Sequence, residues 1–264
     1  MDELWDIARV ATYLGVTERT VYNKVRVGVL PAVKVGRLWR VRPGDLEAWL
    51  GHGAPTPTSV PGPYPYPEVA GRASTAAGPG AIPSRADLEA SLDGVGEIVA
   101  RRLRLVSLLT KGVVALGWSA PVVVGGFAVQ YYTAGNYPTL DIDLVGASEP
   151  VAQVLESWGF LREGRHWYDA ELKFAVEVPG AQLEPSERDR VFGVRVAGID
   201  AFILGVEDLI IDRLAACVRW TDAESCRWAK AMVVTAPELD IVYLEQRATA
   251  EDVFEKLREM LEQR

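Results

Sequence analysis

Between Gly51 and Ser84 the chain carries eight prolines and six glycines, and no single continuous fold crosses such a stretch. In the run Pro61-Gly-Pro-Tyr-Pro-Tyr-Pro67 alternate residues lack an amide donor and push their predecessors out of the helical region, so helix is excluded. The segment reads as a linker of polyproline II character, with a Tyr/Pro recognition motif as the rarer alternative. It divides the 264 residues into a head, 1–50, a tether, 51–84, and a larger domain, 85–264.

A hydrophobic content of 49% lets a chain of this length bury a sizeable core. No run approaches the roughly 18 apolar residues of a membrane helix, and Met1-Asp2-Glu3 lacks the basic start of a secretory leader, so a cytoplasmic protein without a membrane partner is expected. Cys217 and Cys226 stand in a helical stretch with no Cys-x-x-Cys and no clustered His, and read as ordinary thiols rather than zinc ligands or a disulfide.

Charge is segregated. Between Gly15 and Arg42 seven basic residues face one acid, a local +6; with the whole chain at −8, the remainder carries −14. This is the footprint expected when one small patch meets a phosphate backbone. Asp6 to Tyr13 predicts a first helix, Leu14-Gly15-Val16 a turn, and Thr17 the N-cap of a second helix reaching Val27. Leu30 to Val35 and Leu38 to Val41 predict two strands, a wing, and Asp45 is expected to cap a closing helix, Leu46 to Leu50. The runs Ala11 to Tyr22, Gly28 to Val41 and Asp45 to Leu50 resemble the excisionase-type, MerR-like winged helix-turn-helix family. The resemblance implies double-stranded DNA as partner, with the second helix in the major groove. Thr17, Arg19, Thr20, Tyr22, Asn23 and Arg26 would then face DNA from that helix, Glu18 beside them, and Arg37 and Arg40 from the wing, while Val21 and Val25 pack inward. One such module buries only roughly 600–1,000 Å², so a dimer or a partner is expected. The bland alternative is a small helical scaffold that binds protein.

In the larger domain Ser84-x-x-Asp87 opens a helical region towards Val114, breakable at Gly94 and Gly96. Strands are predicted at Pro121 to Val124, Asp141 to Val145, Trp167 to Val178 and Val191 to Leu204. Helices are predicted after Gly125-Gly126, over Pro150 to Trp158, and from Val206 onward with breaks near Ala236-Pro237 and Ala248. The fold class is α+β: a winged head, then a small mixed sheet with a helical C-terminal tail.

In a strand, Asp141 and Asp143 project from one face while Ile142 and Leu144 project from the other. Two adjacent carboxylates repel unless a cation neutralises them, which marks the pair as a divalent-metal candidate; the alternative is two solvated acids on a strand edge. Upstream, Gly125-Gly126 between strand and helix lets backbone amides approach a phosphate. Strand, Gly-Gly, helix and Asp-x-Asp together resemble the DNA polymerase β-type nucleotidyltransferase superfamily. Val206-Glu-Asp-Leu-Ile-Ile-Asp-Arg-Leu-Ala215 is similar to a helix of its abortive-infection toxin branch, with Arg213 in place of lysine and Asp222 beyond it. The resemblance implies that Asp141, Asp143 and a third carboxylate, Glu177 ahead of Glu171, hold Mg²⁺ or Mn²⁺ and catalyse transfer from an NTP. It further implies that Gly125, Gly126 and Arg213 bind the nucleotide, that the acceptor is a hydroxyl of RNA, protein or a small molecule, and that an antitoxin partner exists. Phe127 stands where many members carry Ser or Thr, and Tyr137 where toxin-like members carry Arg. Arg162, Arg165 and Lys173 are open to reading as compensating phosphate contacts or as solvated charges. Two functions follow from the same pattern: a nucleotidyltransferase with a DNA-binding head, or a transcriptional regulator whose inactive domain senses nucleotide or dimerises.

Overall fold

A computed structural model describes residues 4–14, 18, 21, 25, 30–35, 38–51, 81–236 and 238–262. The chain divides into two compact units, Met1–Thr58 with Ala170–Lys173, and Ser59–Asp169 with Phe174–Arg264. Residues 52–80 of the tether lie outside the described residues.

In the head, α1 (Ile7–Leu14) starts at Asp6, whose Oδ1 accepts from the Arg9 amide at 2.8 Å. Glu18, Val21 and Val25 are helical. Strands β1 (Val33–Val35) and β2 (Leu38–Arg40) pair antiparallel with Val35 opposite Leu38, and Trp5 and Val41 exchange two backbone bonds of 2.9 Å that tie the wing to the N-terminal segment. The closing helix α2 (Pro43–Gly51) begins earlier than Asp45 suggested, because Pro43 tolerates the first turn, where an amide would lack a partner anyway. Asp45 instead lies inside that turn, where its charge favours the helix dipole. Val10, Ala11, Val21, Val25, Leu30, Val41 and Leu46 form the core, with Trp5, Ile7, Leu14, Ala32 and Trp39 against it. The inward placement of Val21 and Val25 is as read from the sequence.

The larger domain opens with α3 (Arg85–Leu92), closed by the Ser84/Asp87 capping box, and α4 (Ile98–Ala115), whose first amides are capped by Glu97. A mixed seven-stranded sheet follows, with strands β3 (Val122–Val124), β4 (Asp141–Val145), β5 (Leu161–Glu163), β6 (His166–Asp169), β7 (Phe174–Gly180), β8 (Phe192–Val196) and β9 (Ile199–Ile203). Their order across the sheet is β5-β6-β7-β4-β3-β9-β8. Between them stand α5 (Gly125–Tyr132), α6 (Ser148–Ser157) and the short α7 (Pro185–Arg188). The tail is helical: α8 (Val206–Arg219), α9 (Ala223–Thr235), α10 (Ile241–Ala250) and α11 (Phe254–Leu261). The fold is α+β, and among the described residues no helix is long and apolar enough to cross a membrane.

Three expectations are corrected. The stretches Trp167 to Val178 and Val191 to Leu204 are hairpins, not single strands. The second turns at Ala197 (φ 50°) and Gly198 (φ 82°), consecutive left-handed residues that match the twist of a tight hairpin. The last break falls after Ala250, since Ala248 is a buried residue inside α10. Cys217 and Cys226 are not separate thiols but a disulfide joining α8 to α9 with Cα atoms 4.8 Å apart. Nine residues of uninterrupted helix would set the two far apart along its axis; the turn at Trp220 to Asp222 folds α9 back on α8 and brings them together.

Candidate active site

Cross-strand register sorts the centre of the sheet into two opposed rows. Trp167, Val176, Ile142, Leu144, Val123 and Ile203 share one face, and each is 0% exposed. One residue along each strand, His166, Glu177, Asp143 and Val124 align on the other face, with Asp141 beside them. The alternation of Asp141 and Asp143 with Ile142 and Leu144 therefore separates charge from core, as the sequence pattern requires.

Val124 leads directly into Gly125 and Gly126. Gly125 has φ 57°, and a Cβ there would strike the Asp143 carboxylate. A Cβ on Gly126 would lie 2.7 Å from Thr139 Oγ1 and 3.2 Å from Tyr137 Cε1. Both positions thus admit only glycine without rearrangement. The reward for this close approach is a bond from the Gly126 amide to Asp143 Oδ2 at 2.9 Å, placing a carboxylate at the N-terminus of α5, where an anion is favoured. Burial nonetheless pushes Asp143 up to about 6; Asp141 and Glu177 push the same way, while the Gly126 bond and Arg213 oppose them.

Arg213, on α8, is thereby within electrostatic reach of Asp143, and it also acts on Tyr137 and Asp222. Tyr137 meets Trp228 of α9 edge to face at 5.1 Å, and burial holds its phenol above the ordinary range. Asp222 caps α9. The α8–α9 hairpin and the Tyr137 loop thus adjoin the carboxylates. In Phe127 and Tyr137 the departures from Ser/Thr and Arg have different outcomes: Phe127 is 0% exposed and belongs to the core, whereas Tyr137 lies beside Gly126.

Arg102 was not legible as a site residue. It is 4% exposed, on the buried stripe of α4, and its guanidinium donates to Gln130 Oε1 and, at 2.8 Å, to the Thr139 carbonyl. Burial pulls it down to about 10, opposed by Asp141 and Asp143, so it stays charged at neutral pH. Gln130 in turn donates to the Tyr137 carbonyl at 3.0 Å, so the network holds the loop that covers Gly126. A charge in phase with Val99, Val106 and Val113 is the signal that marks it, since apolar stripes exclude cations unless they are paired.

Glu177 is brought beside Asp143, but its carboxylate is engaged: Arg165 Nε lies 2.7 Å from Oε1 and His166 Nδ1 3.5 Å from Oε2. Among the described residues no group of three His, Cys, Asp or Glu is gathered as a metal site. By donor chemistry the Asp141–Asp143 pair fits a hard divalent cation; the three-carboxylate set, with Glu177 held by Arg165, does not fit as arranged. Glu171 falls in the turn between β6 and β7, away from the polar row's register. Arg162 lies over the Trp167 ring at 5.0 Å, and Lys173 (φ 60°) ends the same turn, so of the three basic candidates Arg165 alone is placed on Glu177 by an ion pair.

In the head, Thr17, Arg19, Thr20, Tyr22, Asn23, Arg26 and Arg37 lie outside the described residues. Arg40 is half-buried on β2 and donates from Nη1 to the Trp39 carbonyl at 2.9 Å.

Residues 6–53 match the helix-turn-helix domain family, so the head carries a DNA-binding helix-turn-helix module. Among curated proteins none matches the chain. The crystal structure of an antigenic nucleotidyltransferase-like protein from Paracoccidioides brasiliensis is similar at 17% identity, over 60% of this chain and 90% of that one, with a TM-score of 0.41. That likeness is too slight to carry a function across.

Proposed function

We propose that this is a DNA-binding protein whose larger domain binds a nucleoside triphosphate and transfers its nucleotidyl group to a hydroxyl acceptor. The observation that carries the reading is the Gly126 amide bonded to Asp143, with Asp141 on the same face of β4 and no room for a side chain at Gly125. A glycine turn opening a helix suits a triphosphate, and a carboxylate pair suits the cation that accompanies it. Mg²⁺ or Mn²⁺ on Asp141 and Asp143 would neutralise triphosphate charge and acidify the acceptor hydroxyl. Arg213 offers a positive charge from α8, and Arg102, held by Gln130 and the Thr139 carbonyl, acts on both carboxylates through its charge. In the transfer, the acceptor oxygen bonds to the α-phosphorus, the bond to pyrophosphate breaks, and the hydroxyl proton leaves to a base. The head would bind double-stranded DNA through the excisionase-type surface, as a homodimer or with an antitoxin-like partner.

A second reading is a regulator that senses nucleotide without turnover. The engagement of Glu177 by Arg165 and His166 favours it, because a third carboxylate so paired is not presented to a cation. The full chain incubated with α-labelled NTPs, Mg²⁺ or Mn²⁺, total RNA and candidate proteins separates the two. Transfer of label by wild type, lost in Asp141→Ala and Asp143→Ala, is the expected result. Wild-type labelling no greater than that of the variants would falsify catalysis, and nucleotide-dependent operator affinity without labelling would establish the sensor.

A further inference from the structure

We propose that His166, oriented by Glu177, is the base that takes the proton of the acceptor hydroxyl. The proposal rests on the nucleotidyl-transfer reading and names the one group which that reading leaves open.

Strand register sets where such a base must stand. Val124, Asp143, Glu177 and His166 are successive partners across β3, β4, β7 and β6, so the glycine turn flanks the aspartates on one side and the imidazole on the other. In transfer at phosphorus the attacking and leaving oxygens lie roughly in line. A triphosphate seated on Gly125 and Gly126 would direct its leaving pyrophosphate towards β3 and open its α-phosphorus to an acceptor over β7 and β6. His166 is two strand spacings from Asp143, about 10 Å between Cα atoms, which leaves room for the phosphorus and an acceptor oxygen between them.

Chemistry along the row points to the same ring. Asp141 and Asp143 are the pair suited to a cation. Burial holds the Tyr137 phenol above its ordinary range, so it keeps its proton. Glu177 has Arg165 Nε 2.7 Å from Oε1 and His166 Nδ1 3.5 Å from Oε2. Its side chain is 9% exposed and that of His166 is 29% exposed, so the carboxylate is the fixed member of the pair and the ring the reachable one. A carboxylate beside Nδ1 favours the proton on that nitrogen and leaves Nε2 as an acceptor. The acceptor hydroxyl would lose its proton to Nε2 as its oxygen bonds to the α-phosphorus, and the electron pair of the broken bond leaves with pyrophosphate. The imidazolium so formed is stabilised by Glu177 and passes its proton to water.

The test is label transfer by the full chain from α-labelled NTPs, with total RNA and candidate proteins as acceptors, beside the affinity for a non-hydrolysable ATP analogue. His166→Ala should lower transfer about 10²- to 10⁴-fold and leave analogue affinity within about twofold of wild type. Added imidazole should recover about 10-fold of that loss, less than an oriented ring supplies, and should recover nothing in Asp143→Ala. Glu177→Gln, which keeps the shape of this positioning residue, should lower transfer about 10- to 100-fold; joined to His166→Ala it should add less than about threefold, because the two act as a unit. Should the Ala variant fail to fold, His166→Gln keeps a polar side chain that takes no proton and replaces it. Merely structural roles would make the two losses multiply and would lower analogue affinity in step. Multiplying losses, a fall in analogue affinity as large as the fall in transfer, or no recovery with imidazole would each overturn the proposal. Wild-type labelling that is lost in Asp141→Ala yet stays within about threefold in His166→Ala would remove the base alone. No labelling by wild type would remove the transfer reading and the proposal with it.

Discussion

His166 and Trp167 are neighbours in sequence, and so are Ile142 and Asp143, yet each pair is divided between two environments. On one face of the sheet six side chains from five strands are sealed from water; on the other, an imidazole, three strand carboxylates and their arginines gather beside a glycine turn. The difference teaches that the site adds nothing to the sheet's architecture. It occupies the half of each strand that the core does not use, and its cost is the repulsion and burial visible in the raised Asp143.

The comparison breaks most readily at Trp167. Replacing this fully buried ring with Ala should lower unfolding stability by about 3–5 kcal/mol in urea, whereas His166→Ala should cost under about 1 kcal/mol. Similar losses at both positions would show that the two faces are not energetically distinct. Next in size is the Cys217–Cys226 bond, which anchors the hairpin that carries Arg213 towards the polar row. Reduction, or paired Ser substitutions, should lower stability by about 2–3 kcal/mol for a loop this short, measured by thermal melting with and without reductant.

Gly125→Ala should cost about 2 kcal/mol, from the left-handed backbone and the collision with Asp143, and should weaken nucleotide binding with it. Normal stability in that variant would show that the approach of α5 to β4 is loose. The smallest effect has the opposite sign. Asp143 rises from an ordinary 3.8 to about 6, so the folded chain binds the proton more tightly than the unfolded one, and stability is lost as pH climbs between those values. Asp143→Asn should therefore stabilise the protein by about 1–2 kcal/mol at pH 7, with the gain fading by pH 4. Melting curves across that range check both sign and window.

Much of this was legible locally. The capping box at Ser84 and Asp87, the glycine turn before α5 and the alternation along β4 each involve residues within a few positions of one another, and each is found as read. The hairpin at Ala197–Gly198 was not legible, because the β-branched Val194, Val196 and Ile199 continue on both sides of a turn that carries one Gly and no Asn or Pro. Arg102 was hidden in an apolar stripe, and the cysteines by a turn that their spacing alone does not announce.

Sequence by itself determined that a proline-rich stretch divides a locally basic head segment from an acidic remainder, and that Asp141 and Asp143 share a face opposite Ile142 and Leu144. These follow from proline's missing donor and from the period of a strand, both properties of neighbouring residues. Tertiary structure decided that Arg165 meets Glu177, that Arg102 and Arg213 come within electrostatic reach of the aspartates, and that Cys217 meets Cys226. Such pairings depend on strand register and helix reversal, which are set by the packing of segments far apart in the chain rather than by any local pattern.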